Sequence, residues 1–212
     1  MARGPRNVDR LARRQPVRPP YARVLIVCEG EKTEPLYLDD IRRSNRIPTT
    51  HIVIAHGGVT EPRQIVDFAE REFRANRAFD HVFAVFDRDQ HLTYISALDR
   101  AAALDQTLRN DDGTLVPFKA VPSVPCFELW LLLHFEDVHA FWHRSEVYKR
   151  VRGHIAGYEK GSHEVYARTE ASLAQAAQRA ERLRQRFDAR TGADPVTDVD
   201  ILVSLLRSIR RP

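Results

Sequence analysis

Two short segments set the terms for the fold. VLIVC at residues 24–28 and HVFAVF at residues 81–86 are apolar almost throughout instead of alternating, and each runs straight into acids: Glu29 after the first, Asp87-Arg88-Asp89 after the second. A strand with one wet face alternates apolar and polar residues, so an unbroken apolar run belongs to a strand covered on both faces, as in parallel sheets. The segments between these runs read as helices. Pro35, Leu36, Leu38 and Ile41 mark one with proline in its first turn, and Glu61-Pro62 opens another whose Ile65, Val66, Ala69 and Phe73 share a face before it stops near Asn76. A third helix is expected over 94–109, followed by a turn at Asp111-Asp112-Gly113. His51–Ala55 and Phe118–Val121 supply two further strands. Strands separated by helical segments imply crossover connections, hence an α/β fold with a parallel sheet and helices on both faces.

From Pro125 onward the pattern turns helical only. CFELWLLLHF at 126–135 is too apolar for a surface helix and should pack on the sheet; 164–190 reads as one long amphipathic helix through Leu173, Ala177, Ala180, Leu183 and Phe187. A last helix begins at the cap pair Thr197-Asp198. The expected organisation is an α/β core over 24–124 and a helical C-terminal part over 125–212 packed on it. At 212 residues and 43% hydrophobic, the chain buries one substantial core.

Charge is unevenly placed. Residues 1–23 carry seven arginines against one aspartate, so the net +4 of the chain leaves −2 for the rest. With Pro5, Pro16, Pro19 and Pro20 and few large apolar residues, this segment reads as a flexible basic arm whose Arg10, Arg13 and Arg14 either contact nucleic-acid phosphates or serve a solubilising or partner-binding tail. Cys28 and Cys126 both lie in apolar stretches, which argues for buried thiols and against a disulfide scaffold or a zinc site at sulfur. No apolar run reaches the roughly 18 residues of a membrane span and no secretory signal is evident, so a cytoplasmic protein is expected.

The acids at the strand ends carry the chemistry. Ligands of open parallel sheets bind at the carboxyl ends of strands, where the strand order reverses. If the first and third strands are neighbours, Glu29, Asp87 and Asp89 converge at one edge, and in an extended Asp-x-Asp both carboxylates point the same way. Carboxylates without histidine suit a hard cation, magnesium or manganese, of the kind that neutralises phosphate and activates water. Taken alone, an aspartate after a strand is ordinary turn chemistry. Lys32 stands at a helix start, where it either holds a phosphate or is a solvated turn residue. Glu128 opens an otherwise apolar helix, which calls for a metal, a basic partner or the helix dipole to offset its burial. His91 either donates to a phosphate or leaving oxygen or is a surface histidine, and Arg88 should point away from its flanking aspartates toward substrate or a structural partner. His139 and His143 have i, i+4 spacing but no third ligand at suitable spacing for zinc.

CEGEKTEP followed by VFDRDQH resembles the Toprim signature, and the wider set of CEGEKTEPLYL, FAVFDRDQH, PCFELWLLLHF and the terminal TDV resembles the RloB-like family over residues 24–206. The resemblance implies a Toprim-like α/β core with Glu29 in acid-base or metal roles, Asp87 and Asp89 as metal ligands, and Lys32, Glu34 and Glu128 in the family's own blocks. It further implies a magnesium-dependent nuclease acting on RNA, such as transfer RNA, or on DNA in phage defence, beside an ATPase of the ABC or structural-maintenance type; a basic arm and apolar helices leave a homo-oligomer open. A non-catalytic, nucleotide- or phosphate-sensing subunit of such a complex is the alternative. Gln90-His91 stands where many Toprim members place a further acid or glycine, and no tyrosine stands in an obvious topoisomerase context.

Overall fold

The computed structural model describes residues 21–191 and 195–209. Its elements run β1 Val24–Cys28, α1 Thr33–Ser44, β2 Ile52–His56, α2 Pro62–Ala75, β3 His81–Asp87, α3 Tyr94–Leu104, β4 Phe118–Val124, α4 Glu128–Leu132, α5 Arg144–His154, α6 Val165–Thr169, α7 Leu173–Arg186, β5 Val196–Thr197 and α8 Val199–Ser208. The five strands lie in the order β2-β1-β3-β4-β5. The first three pairings are parallel and the last is antiparallel.

The apolar runs are explained by this order. Along β1, Val24, Ile26 and Cys28 face one core, which they share with α1 and the C-terminal helices. Leu25 and Val27 face the other, beneath α2 and α3. β3 splits the same way, with Phe83 and Val85 on the first side and Val82, Ala84 and Phe86 on the second. Neither strand has a wet face, so neither can alternate. The chain leaves β1 to one side for β2, then crosses back over β1 to reach β3. The strand order therefore reverses between β1 and β3, and a crevice opens beyond their carboxyl ends.

The C-terminal part belongs to the same core. Leu129 to Leu133, all buried, press on the β1 face with Tyr37 and Leu38 of α1 and with Val147, Tyr158, Tyr166 and Leu202. Three expectations are corrected here. The single helix over 164–190 is broken: Thr169 Oγ1 donates to Val165 O (2.9 Å) and Tyr166 O (3.1 Å), competing with the helix ladder, and a 3₁₀ turn at Glu170–Ser172 separates α6 from α7. The helix expected to reach residue 109 ends at Leu104. The C-terminal part is not helical only, because β5 adds an antiparallel edge strand. It is two residues long, too short for any periodicity, and Thr197 serves it and α8 together: its Oγ1 meets Ser123 Oγ at 2.9 Å and accepts the Val199 N–H at 3.3 Å. The arm boundary also shifts, since Arg23 N–H donates to Asp80 at 2.9 Å and Tyr21 packs edge-on against His51. Arg10, Arg13 and Arg14 lie outside the described residues. Among the described residues no helix is long and apolar enough to cross a membrane.

One buried hydrogen bond ties the two parts together: Trp130 Nε1–H of α4 donates to the Tyr37 hydroxyl of α1 at 2.9 Å. Tyr37→Phe strands that N–H without an acceptor, and chemical denaturation should show a loss of about 1–3 kcal/mol with an unchanged denaturant slope.

Candidate active site

β1 ends at Cys28, and the Glu29 N–H still donates to Val85 O of β3 at 3.0 Å. β3 continues two residues further, so Asp87 comes to lie beside Glu29, and its N–H donates to Glu29 Oε2 at 2.9 Å. Glu29 Oε1 lies 3.5 Å from His91 Nε2, while His91 Nδ1 lies 3.3 Å from Glu61 Oε1. Thr93 donates to the other oxygen of Glu61 at 2.6 Å. His91 is thus suspended between two carboxylates, which fixes the plane of its ring.

The chain turns at Gly30 into α1. A Cβ at Gly30 would stand 2.8 Å from Glu34 Oε2, so the glycine makes the space that the buried Glu34 carboxylate fills. Lys32 is the N-cap residue of α1 and is exposed. A Cβ at Gly161, which has φ +88°, would come within 3.3 Å of its Cβ and Cδ, so the 157–164 loop lies closely on the Lys32 stem. Glu128, 2% exposed, opens α4; it accepts from the Tyr158 hydroxyl at 3.4 Å and lies 3.7 Å from Lys160 Nζ. Arg144, the first residue of α5, pairs with Asp89. Glu29, Glu34, Asp87, Thr60, Arg144 and Lys160 line one cleft of about 280 Å³.

The carboxylates in and beside this cleft disturb one another. Burial pushes the Glu29 carboxyl above its ordinary range, with the Asp89 charge adding to the rise against the hydrogen bonds it accepts. Burial, then the charges of Glu128 and Glu29, raise Glu34 to about 7. Asp87 is raised well above the usual carboxylate range by burial and by Glu34, Glu128 and Glu29, with Lys160 working the other way. Such a set fits magnesium or manganese in donor type, since every donor is a carboxylate oxygen and a cation would replace mutual repulsion with shared attraction. As the side chains stand, no three His, Cys, Asp or Glu residues among those described are gathered closely enough to grip an ion.

The acids expected to converge do so in part. Glu29 and Asp87 meet as the neighbouring strands require, Glu34 and Glu128 join them electrostatically, and Lys32 lies on the rim. Asp89 is placed differently: its φ of 38° is left-handed, so the extended Asp-x-Asp geometry does not hold and its carboxylate turns to Arg144. Arg88 lines a smaller cavity of about 130 Å³ with Asp89, Val124, Pro125 and Phe141, and its Nη1 is buried without a hydrogen-bond partner among the described residues. His139 and His143 precede α5 in irregular chain, so their helical spacing has no meaning there; His143 caps α5 by accepting the Ser145 N–H. His134 is buried, its Nδ1–H donating to Trp130 O at 3.0 Å, and burial lowers it to about 4.

Sequence reasoning missed Arg144, Lys160, Tyr158, Glu61 and Gly30. Only Lys160 left a signal, as one of four lysines in the chain and set between Gly157 and Gly161. Compared with known protein families, residues 24–206 match the family described as RloB-like protein. No curated protein and no solved structure matches the chain.

A raised carboxyl binds its proton more tightly in the folded state, so its contribution to stability is present below the unfolded value and is lost as pH climbs from 4.5 through about 7. Glu34→Gln removes this dependence. Thermal or urea unfolding should find the variant more stable than wild type by about 2–3 kcal/mol at pH 8, with the gap closing at pH 5.

Proposed function

The chain belongs to the RloB-like family, and from that premise we propose that it is a divalent-cation-dependent nuclease that hydrolyses phosphodiester bonds in RNA or DNA. The observation that carries this reading is the mixture of charges at the strand-order reversal. Glu29, Glu34 and Asp87 line the cleft, Glu128 adjoins it, and Arg144 and Lys160 stand on its rim. The acids alone would repel a phosphate. With Arg144, Lys160 and Lys32 on the rim, the cleft offers a phosphodiester one wall that holds it and another that takes up protons.

In this reading Arg144 and Lys160 bind the non-bridging phosphate oxygens and orient the scissile bond toward the acids. Glu29, raised by burial and held by the Asp87 N–H and His91, accepts the proton of the attacking water. His91, steadied by Glu61, keeps the Glu29 carboxylate aimed. Asp87, Glu34, Glu128 and Glu29 are the residues that would hold magnesium or manganese. Such an ion, when bound, supplies charge neutralisation at the phosphate and a lowered pKa for water. Attack joins the water oxygen to phosphorus and breaks the P–O bond to the leaving oxygen, which takes a proton from solvent as Glu29 returns its own, leaving a phosphate monoester and a free hydroxyl. A role in phage defence beside an ABC- or structural-maintenance-type ATPase rests on the family resemblance.

A second reading is favoured by one feature: Asp89 is committed to Arg144, and the acids do not close on an ion as they stand. That arrangement suits a non-catalytic subunit in which phosphate binding frees Arg144 from Asp89 and signals to a partner.

Purified protein incubated with magnesium or manganese and with RNA and DNA separates the readings. Wild type should cleave, and Asp87→Asn should lose activity by on the order of a hundredfold or more. The variant should not melt earlier at neutral pH, since it removes a buried, repelled charge. Equal cleavage by Asp87→Asn would overturn the site. Absence of cleavage by wild type with every ion and substrate, with or without its ATPase, would leave the sensing role.

A further inference from the structure

We propose that the cavity adjoining the acid cleft seats one nucleotide of a nucleic-acid strand, its phosphate between Arg144 and Lys160 and its base against Tyr148. The identity of the occupant rests on the nuclease reading; the existence of the seat does not. The cavity has a volume of about 600 Å³, within the usual range for a small-molecule site, and Cys126, Glu128, Arg144, Ser145, Tyr148 and Lys160 are among its lining residues. Arg144 and Lys160 also line the acid cleft. The two spaces therefore meet at a pair of cations. A phosphate held there presents its ester bond to the acids on one side and its nucleoside to the cavity on the other.

Tyr148 is built as a platform. Its hydroxyl donates to Glu159 at 2.6 Å, its ring centroid lies 5.7 Å from that of Tyr158, and the Arg152 guanidinium lies 5.9 Å from it. A ring fixed in this way stacks a base without paying to be ordered first, and it does so with little preference for sequence. The phosphate end has a matching feature. His143, Arg144 and Ser145 are the cap and first two residues of α5, so the positive end of that helix faces the same cavity. Arg144 pairs with Asp89, and a phosphate in the seat competes with that carboxylate for it.

The test is calorimetry on the full chain without divalent metal, using adenosine and cytidine 5′-monophosphates, the matching nucleosides and inorganic phosphate. The nucleotides should bind more tightly than either fragment. Tyr148→Ala should weaken them about tenfold or more, Tyr148→Phe should nearly restore binding, and Lys160→Gln should weaken the phosphorylated ligands while leaving the nucleosides unchanged. Phosphate binding as tightly as the nucleotides, or nucleotide binding that ignores Tyr148→Ala, overturns the seat, as does no binding at all. Cleavage measured in parallel keeps the two proposals apart. Asp87-dependent cleavage with an unchanged KM in Tyr148→Ala overturns the seat alone; Tyr148-dependent binding in a protein whose Asp87→Asn variant cleaves like wild type overturns the nuclease site alone.

Discussion

Carboxylates held in and around one small, partly dry cleft repel each other, and the surroundings of that cleft can be read as the means of containing them. Glu34 and Asp87 are each 7% exposed and Glu128 only 2%, so water does little to screen them. Three acids in and around the cleft have answering groups. The Asp87 N–H and His91 meet Glu29, Tyr158 and Lys160 meet Glu128, and Arg144 takes Asp89. None of these cancels the repulsion, which adds to the cost of burial in raising the Glu34 and Asp87 carboxyls above the ordinary range. Strain of this kind at a sheet edge is retained where the charge is used.

The C-terminal part is therefore a component of the site and not an attachment to it. The α/β core supplies the acids Glu29, Glu34 and Asp87 and, on the rim, Lys32. Glu128, Arg144, Tyr158 and Lys160 arrive on α4, α5 and the loop after it, positioned by the apolar packing of Leu129 to Leu133 on the β1 face. Gly161 lets the Lys160 loop lie against the stem of Lys32, which joins the loop to the turn after β1. Disturbing that packing would move the cations relative to the acids.

How far the sequence discloses this follows from the range of each interaction. β1 and β3 were legible because burial on both faces leaves an unbroken apolar run, and their adjacency put Glu29 beside Asp87. The position of Asp89 was not legible: one residue in a left-handed conformation turns an extended Asp-x-Asp into a bend, and nothing in DRD announces it. β5 was hidden for a similar reason, since two residues carry no period. Arg144 and Lys160 were missed because their role depends on contacts across more than fifty residues of chain, with Asp89 for the first and with the α1 turn for the second. Charged residues in a polar loop carry no mark that says which of them will fold back onto a sheet edge.

Protons and cations have the same effect on such a cluster, and that sets how it behaves when it works. At low pH, protons on Glu34 and Asp87 relieve the repulsion, and the cleft has no need of any other positive charge. Near neutrality the Glu34 proton begins to leave, and the vacated charge must be met by Lys160, by Arg144 or by an ion from solution. Arg144 lines the cleft while paired with Asp89, so the charge of the cleft is coupled to the bend after β3 and through it to α5. The same repulsion that makes the acids costly to bury thus ties the state of the cleft to the placement of the helical part.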